Sequence, residues 1–203
     1  MPPVSGIFVT FEGIDRSGKS TQARMLAEAL GADALPVREP GGTAVGERVR
    51  ELLKDREIMI GAAAEALLFA AARAELVAEV IRPALDDGKV VISDRFLDSS
   101  LAYQGAARGL GTDAVRRVNE FATGDLAPDV TILLDLPPAA AAERAGVEID
   151  RFEDEGEALQ RSVRAAYEEL VEREPERWVR IDAARAPEDV HADVVAAVER
   201  VRR

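Results

Sequence analysis

The 203-residue chain is 47% hydrophobic and 32% charged, contains no cysteine, and carries a formal net charge of −12 at pH 7. These figures suit one folded domain, exclude disulfides and thiolate chemistry, and argue against a nucleic-acid scaffold or a membrane-surface protein. Because the sequence has neither an 18-residue apolar run nor a signal peptide, we expect a cytoplasmic protein without a nucleic-acid or membrane partner. Residues 1–203 are predicted to form a single domain.

The first predicted element is a strand of alternating β-branched and aromatic residues, Ile7 to Glu12. A glycine-rich turn follows at once and matches the whole pattern G-x-x-x-x-G-K-S from Gly13 to Ser20. The next segment is rich in helix formers and is predicted to be a helix that ends near Gly31. A chance glycine turn between a strand and a helix is the alternative, but the complete match favours a phosphate-binding loop, or P-loop.

The residue types in this loop match the chemistry of phosphate binding. Gly13 and Gly18 let the backbone turn tightly, so that successive N–H groups point inward and join the positive end of the following helix. Lys19 can reach the β- and γ-phosphates, and the Ser20 hydroxyl can bind Mg²⁺. The predicted ATP-binding residues of the loop are Gly13, Ile14, Asp15, Arg16, Ser17, Gly18, Lys19, Ser20 and Thr21.

A second strand is predicted from Ala34 to Arg38, followed by a Pro-Gly-Gly turn and a helix that ends at about Leu53. Arg38 at the strand end is placed to clamp a second phosphate bidentately. The alternative is a surface turn with a solvated arginine.

A long helix is predicted from about Ala62 to Leu85. Phe69 and Arg73 are four residues apart in it and therefore lie one above the other on one face. The ring could stack on a base and the guanidinium could donate to the edge of that base. Phe69 is equally plausible as an ordinary core residue.

The run Lys89 to Asp94 predicts a buried strand that ends in a carboxylate. Opposite a P-loop, Asp94 is placed to accept from Mg²⁺-bound water, and Arg95 beside it could bridge two phosphates. The alternative is a helix N-cap aspartate next to a surface arginine.

The rest of the chain continues to alternate helices with strands. Five short apolar strands separated by helices predict an α/β fold of the P-loop NTPase type, a five-stranded parallel sheet with helices on both faces. Ligands of such sheets bind beyond the carboxyl ends of the strands. The remaining predicted elements are helices at 99–107 and 112–123, a strand at 130–135, a helix after Pro138, a helix at 155–173, a strand at 178–182 and a helix at 187–202.

Four motifs in a fixed order (the P-loop, then REPGGT, LLFAAAR and DRF) closely resemble the thymidylate kinase family, and the resemblance extends through SSLAYQG, DRFE and IDA. It implies an enzyme that transfers the γ-phosphoryl group of ATP to dTMP, giving dTDP and ADP for dTTP and DNA precursor synthesis. It further implies Mg²⁺ as the cofactor, held by Ser20 and Asp94, and a homodimer formed through the long helices.

The same resemblance implies roles for individual residues. Arg16, Lys19, Asp94 and Arg95 would be catalytic. Asp15 would accept a hydrogen bond from the sugar 3′-OH. Arg38 and Arg95 would bind the phosphate of dTMP. Tyr103 would crowd the sugar 2′ position and so disfavour ribonucleotides. The residues expected to contact the base are Phe69, Arg73, Ser100 and Gln104.

The expected lid over ATP, at about 144–151, departs from one of the two family types. Members with a lid rich in arginine have glycine in the P-loop, whereas this chain has Arg16 there and no basic residue from Ala145 to Asp150. This pattern moves the expected cation on the donor phosphate to Arg16. It leaves open the roles of Arg144 and Arg151, both of which are predicted to contact ATP.

Two other classes of P-loop protein are alternatives. A GTPase-type switch reads guanine with Asn-Lys-x-Asp, but the one asparagine, Asn119, is followed by Glu120. A kinase for another nucleoside monophosphate or for a deoxynucleoside remains open. His191 is interpreted as a solvent-facing helix residue, and Asp135 as either a capping residue or a strand-end metal carboxylate.

Overall fold

The computed structural model describes residues 6–144 and 156–202 of the chain. In this part of the chain five strands form one sheet, in the spatial order β2-β3-β1-β4-β5, with every neighbouring pair parallel. The predicted fold class is confirmed, with strand bounds at most one residue from those expected. The strands are β1 Ile7–Glu12, β2 Ala34–Arg38, β3 Val90–Asp94, β4 Val130–Asp135 and β5 Trp178–Asp182.

Helices connect the strands. The predicted long helix from Ala62 contains a π-helical segment, Val77–Ile81, and a second such segment, Leu101–Ala107, continues the helix that starts after β3. A short 3-10 helix, Gly31–Asp33, precedes β2. The α-helices are α1 Lys19–Leu30, α2 Ala44–Lys54, α3 Ala62–Leu76, α4 Arg82–Asp86, α5 Leu97–Ser100, α6 Thr112–Thr123, α7 Pro138–Glu143, α8 Gly156–Arg173 and α9 Pro187–Val201.

Both faces of the sheet are covered, as the apolar strands require. Successive residues of β1, β3 and β4 are buried, which is possible only when helices pack on both sides. α1 and α9 pack against each other, while α3, α6 and α8 pack around Leu101–Ala107. No helix within the described residues combines the length and the apolar character needed to cross a bilayer.

The register brings the strand ends to one level. Asp94 pairs with Phe11 of β1 and with Arg38 of β2, so the carboxyl ends of these three strands form one edge. The P-loop leaves from this edge, and Asp94 and Arg38 end their strands there. The crevice beyond this edge is where a parallel α/β sheet binds its ligand.

Candidate functional site

The loop between β1 and α1 has the backbone that phosphate binding requires. Gly13 adopts φ +140°, and a side chain there would place its Cβ 2.6 Å from the Leu134 carbonyl oxygen. Gly18 adopts φ +99° immediately before α1 begins at Lys19. Since Gly18 has no side chain to cap the helix, the first N–H groups of α1 and its partial positive charge face the crevice.

Lys19 is buried beneath this loop. Its Nζ donates to the carbonyl oxygens of Gly13 at 3.1 Å and of Ile14 at 2.7 Å. Burial lowers the pKa of this ammonium group to about 8, and the charge of Arg95 acts in the same direction. Nearby phosphate oxygens would favour the charged form. The lysine is thus held where a bound polyphosphate would complete its charge balance.

Ser20 and Asp94 meet across the crevice. The Ser20 hydroxyl, in the first turn of α1, donates to Asp94 Oδ2 at 2.5 Å. Hydroxyl and carboxylate oxygens are ligands that Mg²⁺ accepts when water and phosphate oxygens complete its octahedron. Among the described residues, no group of three or more His, Cys, Asp or Glu could hold a metal. The pair therefore fits a Mg²⁺ ion that arrives with a nucleotide.

Arg95 links the P-loop to the rest of the site. Its Nη1 donates to the Gly13 carbonyl at 3.2 Å and to Ser99 Oγ at 3.0 Å, and its Nη2 pairs with the Asp15 carboxylate. The guanidinium carbon lies 5.1 Å from the centre of the Tyr103 ring. These contacts hold a backbone at φ +74°, which a non-glycine residue rarely adopts. Burial opposes the charge of Arg95, but Tyr103 and Asp15 outweigh it and raise the pKa.

Asp15 is fixed from two sides. Arg95 holds one carboxylate oxygen, and Gln160 Nε2 donates to the other at 2.8 Å. Gln160 Oε1 in turn accepts from the Asp15 backbone N–H at 3.2 Å. Burial works to raise the Asp15 pKa, but Arg95 and Lys19 outweigh it and hold the pKa below its ordinary value. Asp15 is therefore an ionised acceptor in a defined orientation.

Behind this group, Glu12 is fully buried at the end of β1. Its carboxylate accepts from the backbone N–H of Phe96 at 2.8 Å and of Ser99 at 3.3 Å. The hydroxyls of Ser99 and Tyr167 donate to it at 2.6 and 2.7 Å. The two backbone contacts cap the turn after β3, which explains why α5 begins at Leu97 rather than at the predicted Ser99.

A cavity of about 1190 Å³ opens beside these groups. It extends from Lys19 and Asp94 to the side chains of α3 and of Leu101–Ala107. Its walls combine aromatic rings with hydrogen-bonding groups, a composition typical of small-molecule sites. Its lining away from the P-loop includes Phe69, Arg73, Ser100 and Gln104, while Tyr103, whose hydroxyl is 3.4 Å from Arg95 Nη2, lies nearer the loop.

Arg73 in this wall is almost completely buried. Its guanidinium pairs with Glu39 Oε2 at 2.6 Å, and its Nη2 donates to the Phe96 carbonyl at 3.1 Å. Its Nη1 donates to Ser100 Oγ at 3.2 Å and to the side-chain oxygen of Asn119. Its Nε donates to the same Glu39 oxygen at 2.8 Å, so four of the five guanidinium N–H groups are hydrogen-bonded within the protein and little donor capacity is left for a ligand.

A second cavity, of about 600 Å³, lies on the other side of the P-loop. Arg144 closes part of it, with Nη1 donating to the Arg16 carbonyl at 3.4 Å and Nη2 to the Ala183 carbonyl at 2.6 Å. Arg16 itself adopts φ +63°, a left-handed conformation that displays its side chain and backbone at the loop tip. The two cavities share Arg16, Lys19 and Ser20, so the P-loop lies between them.

A family model described as thymidylate kinase matches residues 11–194. The chain is 50% identical over 198 residues to the thymidylate kinase of Caldanaerobacter subterraneus subsp. tengcongensis, which covers 96% of this chain and 95% of that protein. The chain belongs to the thymidylate kinase family. The family relative from Symbiobacterium thermophilum is 48% identical, covering 96% and 94%. The crystal structure of thymidylate kinase from Ehrlichia chaffeensis matches with a TM-score of 0.80 at 32% identity, covering 96% and 99%.

For this thymidylate kinase family member, the structure gathers most of the predicted site residues around the larger cavity. Arg38 lies at its rim, where the half-exposed side chain is 3.4 Å from both Glu47 carboxylate oxygens. Arg151 and the predicted lid after Arg144 lie outside the described residues. The predicted residues that line the larger cavity are Asp15, Arg16, Lys19, Ser20, Arg38, Phe69, Arg73, Asp94, Arg95, Ser100, Tyr103 and Gln104.

The position of Phe69 is compatible with both interpretations offered for it. It packs against the small buried cluster of Val49, Leu53 and Ala72, and it also lines the cavity. Its ring is only partly buried in the protein. An aromatic side chain with one face packed and another facing a cavity suits a ligand with a flat ring.

Sequence reasoning missed three residues that hold the site together. Glu39, which pairs with Arg73, stands inside the REPGGT motif beside the arginine that was singled out. Glu12 ends the first strand, and its donors, which include Phe96 and Tyr167, are brought to it only by the packed fold. Gln160 carries no signal at all, because nothing in its helix links it to Asp15.

Asp135 and His191 both lie among the described residues. Asp135 accepts from Arg164 at 2.7 and 3.2 Å and from Arg180 at 2.9 and 2.5 Å, which favours a structural role over a metal carboxylate. His191 is half-buried rather than solvent-facing, and its Nδ1 is buried with no hydrogen-bond partner among the described residues.

Proposed function

We propose that the chain catalyses transfer of the γ-phosphoryl group of ATP to dTMP, giving dTDP and ADP, and so serves dTTP and DNA precursor synthesis. The observation that carries this proposal is the single cavity that joins Lys19 and Ser20 of the P-loop to Phe69 and Gln104. Such a cavity suits a polyphosphate at one end and a monophosphate bearing a flat base at the other. Membership of the thymidylate kinase family over nearly the whole chain supports it.

On the donor side, the P-loop N–H groups and Lys19 would hold the β- and γ-phosphates. Phosphoryl transfer passes through a loose transition state, so positioning and charge neutralisation supply most of the catalysis. An acceptor phosphate oxygen is already an adequate nucleophile, and no general base is required. Arg16 at the loop tip is the residue we assign to the charge that develops on the transferred group.

On the acceptor side, Arg95 and Arg38 would bind the phosphate of dTMP. Arg95 is already charged and oriented by Asp15 and Ser99, so little reorganisation is needed when the anion arrives. Asp15 would accept from the sugar 3′-OH. Tyr103, whose ring packs under Arg95, would crowd the sugar 2′ position.

The base would lie at the remote end of the same cavity. Phe69 would stack on thymine, and Arg73, Ser100 and Gln104 would contact its polar edge. Stacking of a base on an aromatic ring is worth about 1–3 kcal/mol. This end of the cavity therefore contributes binding energy, while the P-loop end carries the chemistry.

Ser20 and Asp94 would hold Mg²⁺, since their oxygens meet where the β- and γ-phosphates are expected. The ion supplies positive charge that screens the donor phosphates when it is bound. Asp94 would hold that charge beside the P-loop.

The activity is tested by offering a panel of nucleoside monophosphates with ATP and Mg²⁺ and measuring release of ADP. We expect fast release with dTMP and slow release with dAMP, dGMP or no acceptor. A Lys19→Ala variant is the matched control for contaminating kinases. A GTPase-type switch would hydrolyse nucleotide without an acceptor, and a kinase for another monophosphate would prefer that compound.

The remaining parts of the proposal concern the state of the protein. We propose that it is one P-loop kinase domain, that it is cytoplasmic, and that it forms a homodimer through its long helices. The homodimer is supported by the exposure of Leu67 on α3 and Phe121 on α6, two helices that pack together. Light scattering after gel filtration tests it, and a monomer mass at micromolar concentration would contradict it.

A further inference from the structure

A buried carboxylate stands behind the predicted base contact. Gln104 lines the larger cavity and is 2% exposed. Its Nε2 donates to Oε1 of Glu65 at 2.9 Å. Glu65 lies in the first turn of α3, is 1% exposed and does not line the cavity. The amide of Gln104 links it to the cavity.

Glu65 determines which way this amide faces. The two ends of a glutamine amide have nearly the same shape, so the hydrogen-bond partners decide its orientation. An ionised carboxylate can only accept. Arg108 donates to the same carboxylate, with Nε at 3.2 Å from Oε1 and Nη2 at 3.3 Å from Oε2, so both oxygens act as acceptors. Rotating the amide by half a turn would set the Gln104 oxygen against a negative charge.

The fixed amide gives the cavity wall a donor and acceptor pattern. With Nε2 turned to Glu65, Gln104 has its oxygen, an acceptor, directed away from that carboxylate. Arg73 in the same wall can only donate. Thymine carries an N3–H donor beside its O4 acceptor and complements this pattern. Cytosine carries an N3 acceptor beside its N4 amino donor and opposes it at both positions.

We propose that Glu65 is a positioning residue for base specificity: it holds the Gln104 amide with its oxygen toward the base and so favours thymine and uracil over cytosine. This inference rests on the proposed function, because it takes a pyrimidine monophosphate to be the acceptor. Glu65 would act without touching the substrate, and its position would explain why the preferred base is thymine or uracil.

The test compares Glu65→Gln with the unmodified protein. A neutral amide can donate or accept, so Gln104 can then turn either end toward the base. The measurement is kcat and KM for dTMP, dUMP and dCMP at saturating ATP and Mg²⁺. We expect the ratio of kcat/KM for dCMP to that for dTMP to rise at least about tenfold, equivalent to about 1.4 kcal/mol. The change should lie mainly in KM.

Two comparisons separate this role from general damage. The ratio for dUMP to dTMP should stay constant, because uracil and thymine present the same polar edge. Glu79→Gln, an exposed change on the same helical stretch, should leave both ratios unaltered. Equal losses for all three substrates in Glu65→Gln, with an unchanged dCMP to dTMP ratio, would overturn the inference.

A second variant covers the case in which Glu65→Gln does not fold. Glu65→Asp keeps an acceptor-only carboxylate and should retain the discrimination against dCMP even with weaker dTMP binding. If Glu65→Asp binds dTMP normally and accepts dCMP, the inference is wrong. Failure of the proposed function is seen separately, as a lack of dTMP phosphorylation by the unmodified protein.

Discussion

Replacing Glu12 with glutamine should change how the stability of the protein depends on pH. Glu12 is fully buried, and its burial, together with the negative charge of Asp98, raises its pKa to about 7 from an ordinary 4.5. The hydroxyls of Ser99 and Tyr167 donate to it and oppose this rise without cancelling it. The folded protein therefore holds a proton that the unfolded chain releases more readily.

The sign of the effect follows from this difference in pKa. The contribution of Glu12 to the free energy of unfolding is fully present below pH 4.5 and is lost as the pH rises through about 7. A tenfold difference in proton affinity is worth about 1.4 kcal/mol, so the whole change is about 3 kcal/mol. Most of it, about 2.5 kcal/mol, falls between pH 5 and pH 8. This is a large fraction of the 5–15 kcal/mol typical of a folded domain.

The assay is urea-induced unfolding at pH 5, 6, 7 and 8, for the unmodified protein and for Glu12→Gln. From pH 5 to pH 8, the free energy of unfolding of the variant should fall by about 2.5 kcal/mol less than that of the unmodified protein. Glu172→Gln, an exposed change on the helix that carries Tyr167, should follow the unmodified protein. Parallel pH profiles for Glu12→Gln and the unmodified protein would refute the reasoning, whatever their absolute stabilities.

The remaining predictions concern the reacting groups and are measured by steady-state ADP release. Phe69→Ala should raise KM for dTMP by about five- to 150-fold, because lost stacking of about 1–3 kcal/mol acts on binding and transfer alike. Asp94→Asn should lower kcat at least about a hundredfold while calorimetry shows that ATP still binds. Arg16→Gly should lower kcat about a thousandfold with little change in KM for dTMP, whereas Arg144→Ala and Arg151→Ala should lose less.

Each of these predictions has a distinct contrary outcome. An unchanged KM with earlier melting would make Phe69 an ordinary core residue. Near-normal turnover of Asp94→Asn at saturating Mg²⁺ would leave Asp94 with only a structural role, as the acceptor of the Ser20 hydroxyl. If Arg16→Gly keeps its kcat while Arg144→Ala or Arg151→Ala loses most of its kcat, the catalytic cation lies in the lid.

The sheet was predictable because its strands are short apolar runs that end in charged residues. Val130–Asp135 and Val90–Asp94 are buried on both faces, so their composition alone distinguishes them from the amphipathic helices between them. The glycine pattern after β1 then predicted a phosphate-binding loop at this edge of the sheet without any knowledge of packing.

The π-helical segments and the contacts across the fold were not predictable. Val77–Ile81 contains apolar residues spaced as in any helix, so its wider turn leaves no mark on the pattern. The partners of Asp15 and Glu12 in α8 are 145 and 155 residues away in the chain. A polar residue in a helix shows which face it occupies, but only the packed fold shows which group it meets.

We propose above that this cavity selects dTMP as the acceptor of a phosphoryl group from ATP. The most direct measurement is a competition in one reaction, with equal concentrations of dTMP, dUMP, dCMP, dAMP and dGMP, limiting ATP and Mg²⁺. The diphosphates formed are separated and quantified at early times. We expect dTDP to be the dominant product and Lys19→Ala to form none. A dominant product other than dTDP, or phosphate released without any diphosphate, would contradict it.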